Sequence, residues 1–361
     1  MIKTAPAVFA VEKDYQIMVE VEKPSVFRVK VGDEYYYDES NGIMRSQNNL
    51  HRCIVPMKAL DEAKEYTVCV RPLIERKPYF TTTEPEQEFT FKFYPVPHKN
   101  TRAYHISDAH NRIETPIKAA KVFGDIDFLI LNGDILDHSG NPEKFKNIYE
   151  ICSGITNGEC PTVFSRGNHD MRGNYAEKFA EYTPNFQGNT YYTFRLGSVW
   201  GVLLDCGEDK DDFGPEYGYT VYCKAFRRRQ TALLKELIDN ANSTYNAEGI
   251  TTKVVIAHSP FSEKFEPPFD IEGDVYAEWC SLLKEHVKPH VMICGHKHVL
   301  EVLKPGCEKD FYGQPCDVVV GAKPGDNYFA GCGYVFGENE ITVQFTDSNG
   351  KILETNIIKK G

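Results

Sequence analysis

Asp108 and His110 stand two residues apart, His296 and His298 repeat that spacing, and Asp134, Asn168 and His258 each follow an apolar run. In an extended segment, alternating pairs such as Asp108-x-His110 and His296-x-His298 place both side chains on one side of the backbone. Neutral imidazoles mixed with carboxylates suit first-row divalent ions such as Mn, Fe, Co, Zn and Ni. The chemistry open to this set is therefore metal binding, and the two oxygens of Asp134 could bridge two ions. Gly133, Gly167 and Gly295 precede three of these groups, and a residue without Cβ lets the chain turn sharply and approach an ion closely.

Such side chains converge only if strands aim them. Apolar runs at 103–106, 128–132, 162–165, 253–257 and 290–294 lead into Ser107-Asp108-Ala109-His110, Gly133-Asp134, Gly167-Asn168-His169-Asp170, His258 and Gly295-His296-Lys297-His298. Helical periods near 115, 142–152, 174–182, 228–240 and 275–286 lie between them, with a further strand at 199–205. Strands alternating with helices mark an α/β layered domain. In an open α/β sheet, ligands bind beyond the carboxyl ends of the strands, so the five loops are expected to meet in one crevice. After residue 298 the pattern returns to β, at 299–303, 317–320, 332–336, 340–346 and 351–358.

The first part of the chain reads differently. Segments rich in Val, Tyr, Phe and Thr at 15–22, 25–31, 51–57, 65–71 and 88–94 alternate in polarity and are bounded by turn signals such as Gly32-Asp33 and Asn41-Gly42. They predict a small antiparallel β-sandwich of immunoglobulin or fibronectin III type. Tyr94-Pro95-Val96-Pro97 interrupts any strand. The expected domains are thus a β-sandwich over 1–97 and an α/β catalytic domain over 98–361.

Composition limits the alternatives. With 41% hydrophobic and 12% aromatic residues in 361, the chain has material for packed cores and is not a disordered one. A formal charge of -11 disfavours a wide surface that neutralises nucleic acid, and leaves room for a local basic site. The eleven cysteines are odd in number and lack CxxC spacing, which suits reduced thiols in a cytoplasm. MIKTAPAVFAVEKDYQ lacks the unbroken apolar core of a signal peptide, and no stretch is long enough to span a bilayer, so a cytoplasmic protein without a membrane partner is expected. Nothing in the sequence fixes an oligomeric state.

Alone, each polar block is weak: Asp108-x-His110 could be a turn and Gly133-Asp134 an ordinary loop. Taken in order, however, DxH, GD, GNH, H and GHxH strongly resemble the signature of the calcineurin-like metallophosphoesterase superfamily, over about 101–300. The resemblance implies a four-layer α/β/β/α sandwich holding two divalent metal ions. One ion would take Asp108, His110, Asp134 and His298; the other, Asp134, Asn168, His258 and His296. His169 would stand beside the phosphate, where it could protonate the leaving oxygen or stabilise the transition state. Asp137, or Asp170 next to His169, could orient an imidazole. The implied reaction is phosphoester hydrolysis by a metal-bridging hydroxide, as a phosphatase or phosphodiesterase on a small substrate. Purple acid phosphatases place a tyrosine where this chain has Asp137 and lack the histidine found here as His110, so an iron-tyrosinate chromophore is not expected. The alternative is a catalytically silent metal-binding scaffold, which would be expected to lose ligands or His169.

Other residues have simpler readings. His51, His98, His286 and His290 fall outside the motifs and are expected at the surface or at helix ends. Arg166 could reach a phosphate or serve a salt bridge, Asp205 could cap a turn, and Arg227-Arg228-Arg229 reads as a solvated helix face. The long connections 207–218 and 259–273 are the candidates for substrate contact.

Overall fold

The structure is a computed structural model that describes residues 1–360. A ten-stranded sheet runs in the order Ile352–Lys359, Glu340–Asp347, Tyr328–Phe336, Thr101–Ile106, Phe128–Asn132, Thr162–Ser165, Ala7–Val11, Asp14–Glu20 and Leu50–Pro56, with Lys323–Gly325 paired to Tyr328–Phe336. A six-stranded sheet follows the order Tyr192–Leu196, Val199–Leu203, Thr252–Ile256, Val291–Cys294, Asp317–Gly321 and Leu300–Leu303.

These sheets pack face to face because their strands are apolar on both sides, as parallel strands covered by helices must be. Phe128, Ile130 and Val163 of the larger sheet share one core with Val254, Ile256, Val291 and Ile293 of the smaller. The alternate residues Leu129 and Leu131 point the other way, under Ala119, Ile148 and Ile151 of helices Glu114–Phe123 and Lys146–Thr156. On the far side, Val202, Val255 and Met292 meet Leu234, Leu237 and Trp279 of helices Cys223–Asp239 and Gly273–Leu282. The layers are helix, sheet, sheet, helix. Each fully buried Val, Leu or Ile contributes roughly 1.5–3 kcal/mol, so the aim of the strand ends rests on a rigid base.

The N-terminal strands are not confined to a unit of their own. Ala7–Val11 pairs in parallel with Thr162–Ser165, setting Phe9 opposite Thr162, and brings Asp14–Glu20 and Leu50–Pro56 into the large sheet. Backbone pairing therefore crosses the boundary expected at residue 97. A five-stranded sheet of Ser25–Val31, Glu34–Tyr37, Glu65–Lys77, Phe80–Thr83 and Gln87–Lys92 faces this extension, and its Phe27, Val29, Val68 and Val70 share a core with Ile17, Val19 and Val55. Two facing β-layers exist, but one is the end of the large sheet. The expected strands omit Ala7–Val11 because AVFAV is buried at every position and shows no alternation. Ser25–Val31, which alternates between buried and half-buried, was legible.

Two simple readings are corrected. His51 is wholly buried, with Nδ1 2.8 Å from Asp38 Oδ2 and its ring stacked 4.6 Å from Phe27. Arg227 is buried as well, because the helical period turns it to the same face as Thr231 and Leu234, and it donates to the Cys206 and Glu208 carbonyls. All eleven cysteines are free and only Cys307 is partly exposed. No helix among the described residues is long and apolar enough to cross a membrane.

Candidate metal centre

The five ligand loops leave neighbouring strand ends, but from two sheets. Ile106, Asn132 and Ser165 end adjacent strands of the ten-stranded sheet, while Ile256 and Cys294 end adjacent strands of the six-stranded one. The crevice is thus the seam between stacked sheets, not the edge of a single open sheet. Asn132 closes this seam: its Nδ2 donates to Ala257 O and Ile293 O, both at 3.2 Å, and its carbonyl accepts from His258 Nδ1 at 2.7 Å.

The ligand segments are not extended, as the alternating spacing had suggested. Asp108, His110, Asp134, His296 and His298 have φ of 53°, 44°, 52°, 69° and 55°, in the left-handed region. For a residue with a Cβ, each such turn costs roughly 1–2 kcal/mol. Bonds between the loops hold it in place: His110 N donates to Asp134 O at 3.0 Å, His169 N to Asp134 Oδ1 at 2.9 Å, His296 N to Asp108 Oδ2 at 2.9 Å and Gly295 N to His258 O at 2.9 Å. Packing also dictates glycine here. A Cβ on Gly133 would lie 2.6 Å from the Gly167 backbone, and one on Gly167 would lie 2.6 Å from Asp134 N.

All seven sequence-predicted ligands come together. Donor atoms of Asp108, His110 and His298 lie within 4.8 Å of one another, as do those of Asp134, His258 and His296, and Asp134 also groups with His110 and His169. His110 Nε2 faces His298 Nε2 at 3.1 Å, His298 Nε2 lies 3.3 Å from Asp108 Oδ1, and Asn168 Oδ1 is 3.1 Å from His296 Nδ1. The donor set fits divalent ions on one further observation: Asp108 Oδ1 and His258 Nε2 are buried without a hydrogen-bond partner. His258 Nε2 is only 3.1 Å from Asp134 Oδ2, close yet not aligned for a bond. Buried polar atoms are normally satisfied, and each of these belongs to a different one of the two donor groups, where a cation would satisfy it.

The electrostatics agree. Burial alone would lower the His258 pKa, but the charges of Asp134 and Asp108 override it and push it up to about 10. Burial likewise opposes ionisation of Asp108, yet His258 and His298 hold it well below the usual carboxylate range. His296 is held down to about 4, first by burial and then by the charge on His258. Two buried carboxylates require a nearby positive charge, which a proton supplies until a metal displaces it.

The expected catalytic neighbours divide in role. His169 Nδ1 lies 2.8 Å from the Asp137 carbonyl, and its Nε2 faces Asp134 Oδ2 at 4.0 Å. The Asp137 carboxylate stands 3.3 Å from His110 Nδ1 and accepts from Asn111 Nδ2 at 2.5 Å, so Asp137 orients two imidazoles by different atoms. Asp170 instead holds backbone, accepting from Gly167 N at 2.9 Å and Asp134 N at 3.2 Å. Burial and the charge of Asp134 push its carboxyl up to about 7. Arg166 Nε pairs with Asp205 Oδ2 at 2.8 Å, and the other oxygen of Asp205 caps Gly207 N at 2.7 Å. Sequence reasoning overlooked Ser107, Asn132 and Arg172, although the first two could have been found as polar residues closing otherwise apolar strands. Ser107 Oγ lies 2.7 Å from both Asp108 Oδ2 and Asn132 O. The connections 207–218 and 259–273 do border the site, lining a small cavity with Asp209, Phe265 and Phe269 next to Asn168 and His296.

The calcineurin-like phosphoesterase family matches residues 101–300. Among solved structures, the chain is similar to a purple acid phosphatase isolated from yellow lupin (Lupinus luteus) seeds, at TM-score 0.61 and 14% identity, over 99% of this chain and 74% of that one. It is also similar to a predicted phosphoesterase from Streptococcus pneumoniae, at TM-score 0.31 and 11% identity over 72% of this chain and 98% of that one. Vacuolar Protein Sorting 29 from Cryptosporidium parvum follows at TM-score 0.36 and 11% identity, again over 72% and 98%. No curated protein matches the chain. The lupin likeness is one of fold, and it takes in the N-terminal strands as well as the ligand loops. With its five ligand blocks converged and a family match over more than half its length, the chain belongs to the calcineurin-like phosphoesterase family.

Proposed function

We propose that the chain hydrolyses a small phosphoester with two divalent metal ions, one on Asp108, His110, Asp134 and His298 and the other on Asp134, Asn168, His258 and His296. The observation that carries this reading is the place of Asp134, whose carboxylate groups with His258 and His296 on one side and with His110 and His169 on the other. Bound there, such ions would acidify a water and offset charge on the phosphoryl oxygens. The chain's own part is positioning. Asp108, Asp134 and His258 are held from behind by Ser107, His169 N and Asn132, so their free atoms face inward without reorganisation. His169 keeps its ring proton on Nδ1, bonded to the Asp137 carbonyl, and turns Nε2 toward Arg172 Nη1 and the Asp134 carboxylate.

A silent scaffold is less well supported, since neither a ligand nor His169 is missing. The small-substrate reading draws on the aromatic loops beside the centre, where the Phe265 and His296 rings meet edge to face with centroids 5.6 Å apart. Buried, unpaired thiols suit a reducing compartment, and we propose the cytoplasm. The test is to strip the protein of metal, restore Mn, and offer mono-aryl and bis-aryl phosphates. Turnover of at least one ester is expected, and metal binding without turnover of either would overturn the reading.

A further inference from the structure

Arg172 follows the third ligand block and belongs to none of the metal motifs. Its Nε donates to Glu208 Oε2 at 3.1 Å, and its Nη2 donates to Glu208 Oε1 at 2.9 Å and Asp209 Oδ1 at 3.2 Å. Nη1 stands 3.1 Å from His169 Nε2. The Asp137 carbonyl can only accept, so His169 Nδ1 carries the ring proton and Nε2 offers its lone pair to Nη1. A guanidinium has five N–H donors. The carboxylates take those on Nε and Nη2 and His169 takes one on Nη1, which leaves the second Nη1 hydrogen without a partner among the described residues.

That spare donor borders the metal centre, because His169 Nε2 lies 4.0 Å from Asp134 Oδ2. The other guanidiniums near the site differ. The Arg166 side chain is 11% exposed with its Nε paired to Asp205 at 2.8 Å, and Arg227, 1% exposed, is spent on main-chain carbonyls. Arg172 keeps 23% exposure while its fork is fixed on Glu208, a carboxylate with no exposed side-chain surface. A guanidinium locked at one end and open at the other is preorganised for a second anion.

We infer that Arg172 binds a phosphoryl oxygen of the substrate beside His169. This rests on the hydrolase reading above. A purely structural Arg172 would clamp the loop after Gly207 and nothing more.

The test uses the full chain loaded with Mn, inorganic phosphate as the probe, and Arg172→Gln and Arg172→Lys. Metal content should stay at the parent level in both. Phosphate affinity measured by calorimetry should fall roughly ten- to hundredfold in the Gln variant and less in the Lys variant, with kcat/KM following. A structural role alone would lower the melting temperature and leave phosphate affinity unchanged, and parent-like affinity in both variants would overturn the inference. If Arg172→Gln fails to fold, Arg172→Lys, which keeps a charge for Glu208, decides alone. A parent that binds phosphate through Arg172 but hydrolyses no ester upholds the inference and defeats the hydrolase reading. Ester turnover with phosphate affinity indifferent to Arg172 does the reverse.

Discussion

The loops that hold the ligands and the loops that wall the site are built differently. In the first, strained left-handed residues are pinned by bonds between neighbouring loops, as Asp134 is by His169 N, Asp170 and Gly167. In the second, aromatic side chains are only partly covered: Phe269, which lines the cavity beside Asn168 and His296, is 37% exposed. A pinned loop cannot vary without losing the metals, whereas an exposed one can change its side chains at little cost to the fold. On the proposed function, the chemistry belongs to the seam and the choice of ester to the walls.

Removing the shared carboxylate should have the largest effect. Asp134→Ala should lower kcat/KM on the order of a thousandfold and cost the protein bound metal, measured together by kinetics and elemental analysis. If the variant kept both metal and activity, the ligand loops would be no more constrained than the walls.

Acidity gives the next effect. Without an ion His258 holds a proton, its pKa pushed up to about 10, so binding between pH 6 and 8 displaces that proton. Metal affinity should then rise about tenfold per pH unit over that window in a titration of stripped protein. The sign for stability is opposite. The raised His258 pKa stabilises the stripped protein fully below its ordinary 6.5, and this contribution is lost as pH climbs toward 10.

Asn132→Ala would leave the Ala257 and Ile293 carbonyls without their side-chain donor in the seam. It should cost about 2 kcal/mol by denaturant unfolding and weaken metal binding roughly ten- to hundredfold. Phe269→Ala, in the cavity wall, marks the other end of the scale. Stability should move by no more than about 0.5 kcal/mol, and the KM of an aryl ester should change while metal content does not. A large loss of stability would contradict the contrast drawn here.

What the sequence revealed follows the same division. The convergence of the seven candidate ligands was legible because metal binding demands particular residue types at strand ends, and strand ends are marked by apolar runs. The seam was not legible: nothing in 128–132 or 253–257 says that the two runs lie in different sheets. Ala7–Val11 was missed for a related reason, since a strand buried on both faces carries no alternation, and its parallel partner Thr162–Ser165 is distant in sequence. Arg172 escaped notice because its role depends on Glu208 and Asp209, which only the fold brings to it.

The central claim is that one carboxylate joins two metal sites at the seam. Metal-stripped parent and Asp134→Ala should be titrated with Mn, and the bound ions counted by elemental analysis while aryl phosphate turnover is followed. The account predicts two ions per parent chain, turnover that rises with their binding, and loss of both in the variant. A parent that takes up no more than one ion, or a variant that binds and hydrolyses as the parent does, would contradict it.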